Sequence, residues 1–125
     1  MRLASDLDPA FARIEALAAA RALPGLERAT SHGAPALCVR TKPFVRLKDA
    51  DTLVLLCPTE QKILLMEISP EIYFETDQYV GWPVVLIRLS AISDEELSLR
   101  LENAWRFKAP AKLAAQRPPA SPAGN

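Results

Sequence analysis

Ala36-Leu37-Cys38-Val39-Arg40-Thr41-Lys42-Pro43-Phe44-Val45-Arg46-Leu47-Lys48, followed by Asp49-Ala50-Asp51 and Thr52-Leu53-Val54-Leu55-Leu56-Cys57, decides the fold. Ala36 to Arg40 and Phe44 to Lys48 read as strands around a Thr41-Lys42-Pro43 turn. Lys48-Asp49-Ala50-Asp51 turns the chain again, and Thr52 to Cys57 is apolar almost throughout, the pattern of a strand buried on both faces. Three strands joined by such short connections must pair antiparallel, because a parallel return needs a dozen residues or more.

Working outward toward the N-terminus, His32-Gly33-Ala34-Pro35 is a turn, and Leu26 to Ser31 reads as a strand before it, with Glu27, Arg28 and Thr30 at polar positions. Before that, Asp8 reads as a helix cap, Pro9 suits a first turn, and Phe11, Ile14, Leu17 and Ala18 fall on one stripe. Leu23-Pro24-Gly25 ends that helix. Toward the C-terminus, Pro58-Thr59-Glu60 opens a helix expected to turn Ile63, Leu64, Leu65 and Met66 inward, and Ser69-Pro70 closes it. Ile72 to Thr76 and Val84 to Leu89 read as strands joined by the loop Asp77 to Pro83. The last helix has the clearest signals. Ser93 and Glu96 have capping-box spacing, Leu97, Leu101, Ala104 and Trp105 make an inward stripe, and Glu102 can pair with Arg106. Pro110 stops it.

The order is therefore α-β-β-β-β-α-β-β-α. It implies an α+β two-layer sandwich, a largely antiparallel sheet with helices on one face. One domain over residues 1–116 accounts for this order. Residues 117–125 contain three prolines and no large apolar side chain, and read as a disordered tail.

Composition bounds the function. The chain has 125 residues, half of them apolar, with fifteen Lys plus Arg against fifteen Asp plus Glu, so any hold on nucleic acid or anionic lipid needs a local patch. Cys38 and Cys57 are far apart and both sit in apolar runs, as buried thiols do. Neither spacing nor number suits a disulfide scaffold or a zinc site. No run approaches membrane-spanning length and the N-terminus lacks a signal-peptide core, so a cytoplasmic location is expected.

The charges are unevenly placed. Residues 28–48 hold Arg28, Arg40, Lys42, Arg46 and Lys48 and no acid, whereas residues 49–77 hold seven acids against Lys62. Arg40, Lys42, Phe44, Arg46 and Lys48 alternate with Val39, Val45 and Leu47, which would present the cations on one side of a hairpin arm. Such an arm can hold a nucleic-acid backbone. The plainer reading is a solvated hairpin face, its cations paired with the acids of residues 49–77, or an edge strand protected by lysine.

Little catalytic chemistry is legible. His32 is the single histidine, has no ligand partner at metal-binding spacing, and fits a hydrogen bond within its turn. The glycines are too dispersed for a phosphate loop, and Asp94-Glu95-Glu96 occupies a helix's first turn, where acids suit the dipole. No metal, cofactor or enzymatic activity is expected. Tyr79 and Trp82 share one loop and could cap the core, line a pocket or stack a base.

Read together, Leu23-Pro24-Gly25, Ser31-His32-Gly33-Ala34-Pro35, Lys42-Pro43-Phe44, Thr76-Asp77-Gln78-Tyr79-Val80-Gly81-Trp82-Pro83, Arg88-Leu89, Ala104-Trp105-Arg106 and Ala109-Pro110 resemble the MmcQ/YjbR family of small bacterial proteins. The resemblance runs from about Phe11 to Leu113. It implies a compact fold similar to the frataxin-like and secretion-chaperone-like architectures, and a DNA-binding label inferred from a double-wing shape. The first wing would be the arm bearing Arg40, Lys42 and Arg46, the second the loop from Asp77 to Pro83. Gln78 stands where many members have His, and Ala36-Leu37-Cys38 replaces a stretch that often contains Phe.

Three functions follow as expectations. The first is a DNA-binding module using Arg40, Lys42, Arg46 and Lys48 on phosphates. The second is a protein-interaction or chaperone-like adaptor, with a protein partner or a second copy bound in a homodimer. The third is a small-ligand binder around His32, Tyr79 and Trp82.

Overall fold

A computed structural model describes residues 3–116, with side chains from Pro9 onward. The tail expected over residues 117–125 lies outside the described residues. Helix α1 (Leu3–Ala20) leads into β1 (Leu26–Ser31), β2 (Ala34–Val39), β3 (Lys42–Asp49) and β4 (Thr52–Leu56). Then come α2 (Thr59–Ile68), β5 (Tyr73–Phe74), a 3-10 turn at Asp77–Tyr79, β6 (Val84–Arg88), α3 (Asp94–Lys108) and the short α4 (Ala111–Ala115). The expected order of elements and the α+β class hold.

The six strands form one sheet in the order β1-β2-β3-β4-β6-β5, every neighbouring pair antiparallel. One row of directly opposed residues on the helix side reads Leu47, Leu53, Ile87 and Tyr73. All four are fully buried beneath α1 and α3, which contribute Phe11, Ile14, Ala18, Leu97, Leu101 and Ala104 to the same core. Trp105 is completely buried there, and its Nε1–H donates to the Pro24 carbonyl at 2.8 Å, tying α3 to the connection before β1. Arg13 of α1 spans to the start of α3, donating to Asp94 Oδ1 at 2.7 Å and to the carbonyls of Leu89 and Ile92. Cys38 and Cys57 are buried free thiols.

The neighbouring row, on the opposite face, reads Ala29, Ala36, Arg46, Val54, Leu86 and Phe74 across all six strands. Here Val54, Tyr79 and Leu86 form a second, smaller apolar cluster. The segment after β5 folds over that cluster, and beside it the face opens at a groove next to the part-exposed Arg46, while Ala36 is fully covered.

Several boundaries differ from the sequence reading. Helix α1 begins at Leu3, so Asp8 is inside it rather than its cap, and Pro9 is an interior residue. An interior proline has no N–H for the carbonyl four residues back and its ring crowds that carbonyl, so it weakens the helix at that turn, which here continues past it. The first hairpin turn is His32-Gly33 alone, with φ of 54° and 76°, the two positive values that a type I′ turn demands. The second is Arg40-Thr41, so Lys42 and Pro43 belong to β3. β5 shrinks from the expected Ile72–Thr76 to two residues, because the N–H groups of Ile72 and Tyr73 both donate to the Ser69 carbonyl. Of the capping box, Ser93 Oγ accepts from the Glu96 N–H as expected, but the Glu96 carboxylate accepts from the Tyr73 hydroxyl instead of reaching back.

Helix α2 departs most. Ile63 and Leu64, expected inward, are 50% and 53% exposed, while Lys62 is 2% exposed. Lys62, Leu65 and Met66 form the inward side at helical spacing, and Leu65 and Met66 pack on the main core.

Candidate functional site

The open face gathers three of the residues singled out in the sequence. Arg46, from the middle of β3, His32, from the first hairpin turn, and Tyr79, from the 3-10 turn, all line one groove of about 220 Å³. Pro43, Val54, Leu56 and Val84 supply apolar wall, and Ser31 adds a hydroxyl beside His32. A second concavity of about 280 Å³ adjoins it, lined by Gln78, Trp82 and the same Tyr79 and Val84.

Arg46 is placed by register. It lies between Ala36 and Val54 in the open-face row, and Ala36 is too small to crowd it. Its Nη2 donates to the Tyr79 hydroxyl at 2.7 Å. No described carboxylate lies within ion-pair distance of it. A half-buried guanidinium without a counter-charge loses hydration that nothing in the groove fully replaces.

Tyr79 and Trp82 are placed by a residue the sequence reading passed over. The buried Lys62 ammonium donates to the carbonyls of Tyr79 and Trp82 at 2.9 and 2.8 Å and pairs with Glu75 Oε1 at 2.5 Å. Two carbonyl acceptors and the opposite charge of Glu75 together keep a charged amine inside. Tyr79 is thereby 9% exposed, packed on Val54 and Leu86, while the Trp82 ring is 62% exposed. The available signal was Lys62 standing three and four residues before the inward pair Leu65 and Met66.

The four cations expected on one side of an arm are not brought together. Alternation breaks at a bulge between Pro43 and Val45, where Leu37 pairs with Val45 and Cys38 with Pro43. Phe44 and Val45 consequently both enter the helix-side core. Lys42 then falls opposite the core residue Val39, and Arg40 sits in the turn with φ of 59°. Lys48 is at the far end of β3, about 20 Å from Lys42 at strand rise. None of the four is paired with the acids of residues 49–77. Arg28, the fifth cation of the block, leaves it altogether, pairing with Glu15 at 3.2 Å over the Phe11 ring.

Burial pushes the Cys57 thiol up to about 11, against the pull of Arg100 and Lys62, and burial also raises Cys38. Burial, and then the bond to Glu96, raise the Tyr73 hydroxyl. Both thiols are thus held protonated at neutral pH, which does not suit a nucleophile. Among the described residues no three His, Cys, Asp or Glu side chains converge to hold a metal ion, and no helix is long and apolar enough to cross a membrane.

Comparison with known proteins adds the following. The curated relatives include uncharacterized proteins Rv2570 of Mycobacterium tuberculosis and Mb2600 of Mycobacterium bovis, each 36% identical over 52 residues. Those matches cover 42% of this chain and 40% of each relative's length. No solved structure matches. Residues 21–107, from the end of α1 to the last turn of α3, match the YjbR family. The aligned span contains every strand, the groove and both aromatic residues beside it, and the chain belongs to the YjbR family.

Proposed function

We propose that this protein is a non-enzymatic nucleic-acid-binding module whose ligand lies on the open face of the sheet. The observation that carries the reading is the Arg46 guanidinium, half-buried in a mostly apolar groove and bonded to a neutral hydroxyl rather than to a carboxylate. A phosphate diester supplies the missing counter-charge and accepts from the N–H donors that Tyr79 leaves over. Tyr79 borders the groove, and Trp82 lines the hollow beside it. The ligand class agrees with the label the family resemblance carries, but the contact surface is the sheet face rather than a projecting hairpin.

The test is binding of labelled oligonucleotides across a salt series. One phosphate contact, at Arg46, corresponds to a log–log slope of about −0.7 for a single strand. Arg46→Glu abolishes retention with an unchanged melting temperature. No detectable binding at low salt removes the reading.

A separate observation favours an adaptor as the second reading. Ile63, Leu64 and Ile68 leave α2 with an exposed apolar side, and Val80 is exposed as well. A homodimer or captured partner on that side is disrupted by Leu64→Glu, as light scattering would register, and is indifferent to Arg46→Glu.

A further inference from the structure

The nucleic-acid reading leaves open which form of nucleic acid the open face accepts, and the geometry of the two wings bears on it. A two-stranded ribbon reads a duplex by entering the major groove, so several of its residues must stand clear of the body. Here the turn Arg40-Thr41 follows directly on Val39, which is fully buried, and the Arg40 N–H is tied to the Gly25 carbonyl at 2.8 Å. Phe44, two residues past Lys42, is 1% exposed. The hairpin therefore ends flush with the domain. The segment from Asp77 to Pro83 is equally flush, wound into a 3-10 turn, packed on Val54 and Leu86, and held from beneath by Lys62.

What this face offers instead is concave. Two adjoining hollows of about 220 and 280 Å³ share the Tyr79 and Val84 walls. The first contains the unneutralised Arg46. The second is bounded by the exposed Trp82 ring and the Gln78 side chain. An aromatic ring with an open face stacks any base, and an amide supplies two donors and one acceptor to a base edge. Bases in a duplex are already stacked, so the Trp82 ring has no base face to take there, and a segment flush with the domain does not carry the Gln78 amide into a groove. Unpaired bases can be splayed into such hollows.

Resting on the nucleic-acid reading above, we infer that the ligand is single-stranded, with two successive unstacked nucleotides seated in the two hollows. The phosphate between them lies on Arg46, one base packs against Tyr79 in the groove, and the next stacks on Trp82 within reach of Gln78. A single-stranded DNA and a single-stranded RNA share this chemistry, and the experiment separates them.

Short labelled oligonucleotides, DNA single strand, RNA single strand and DNA duplex of one sequence, are titrated into the full chain at one low salt concentration and followed by anisotropy. The expected result is single-strand binding roughly tenfold tighter than duplex binding, with the tighter of the two single strands identifying the natural polymer. Trp82→Ala weakens that binding roughly tenfold, Trp82→Phe restores most of it, and neither shifts the melting temperature, since the ring is 62% exposed. Duplex binding equal to or tighter than either single strand overturns the inference and leaves the nucleic-acid reading standing. A Trp82→Ala variant with wild-type affinity also overturns it. Binding of none of the three overturns both.

Discussion

The Tyr79 carbonyl accepts a hydrogen bond from Lys62 Nζ at 2.9 Å, so the aromatic segment of the open face is fastened to α2 by an ammonium only 2% exposed. This bond makes α2 part of the site although none of its side chains lines the groove. Replacing Lys62 with Met keeps the stem and removes the charge, leaving Glu75 without its partner. Breaking a buried pair costs about 3–5 kcal/mol, and the lower end applies because the Glu75 side chain is 24% exposed. Urea unfolding should show a loss of about 3 kcal/mol for Lys62→Met, with part of it recovered in the double variant Lys62→Met/Glu75→Leu. A loss below about 1 kcal/mol would show that the network does not hold the segment.

Arg46 should behave in the opposite way. Its guanidinium lacks a carboxylate partner among the described residues, so Arg46→Met removes a desolvated charge and leaves an apolar side chain between Ala36 and Val54. The expected outcome is a melting temperature unchanged or raised, together with loss of oligonucleotide binding. Stability gained where function is lost is the signature of a residue kept for its ligand. A clear drop in melting temperature would mark Arg46 as structural.

Trp105→Ala should destabilise the domain by about 3–5 kcal/mol, the usual range for truncating a buried aromatic, and the Pro24 carbonyl loses its donor as well. Denaturant unfolding measures it. A near-neutral result would contradict the packing of α3 on the sheet.

Alkaline pH should destabilise the protein through Cys57. Its thiol is raised from the ordinary 9.0 to about 11, chiefly by burial. Below about pH 9 the thiol is protonated in both states, and its contribution is fully present. Between about pH 9 and 11 the unfolded chain ionises and the folded one does not, so stability falls as pH rises. Melting temperature should therefore decline between about pH 9 and 11, less steeply in Cys57→Ala. Equal declines in the two proteins would assign the effect to Cys38 and Tyr73 alone.

The sheet was legible because its signals are local. Thr52 to Cys57 reads as a central strand from composition, and His32-Gly33 reads as a turn from the one residue type that favours positive φ. The bulge at Phe44 was not legible. Pro43 has no N–H to give to β2, and one extra residue there inverts the side on which Lys42 falls. That single step dispersed a patch that strict alternation had gathered. α2 was misread because its inward lysine looks like a surface residue until its acceptors, the carbonyls of Tyr79 and Trp82, are seen beside it. The groove itself could not be read from spacing, since Arg46 and Tyr79 are 33 residues apart and meet only through the pairing of β3, β4 and β6. His32 and Tyr79 line that groove, and Arg46, which alternation in the sequence groups with the basic arm, lies there with them.

The central claim is that the open face, and not the helices, receives a nucleic-acid strand. Amide and indole shifts of the isotope-labelled protein, followed while a short single strand is added, test it most directly. The account predicts shifts at Arg46, Val54, Tyr79, Leu86 and the Trp82 indole, with α1 and α3 unmoved. Shifts confined to α1 and α3, or none at saturating oligonucleotide, would contradict it.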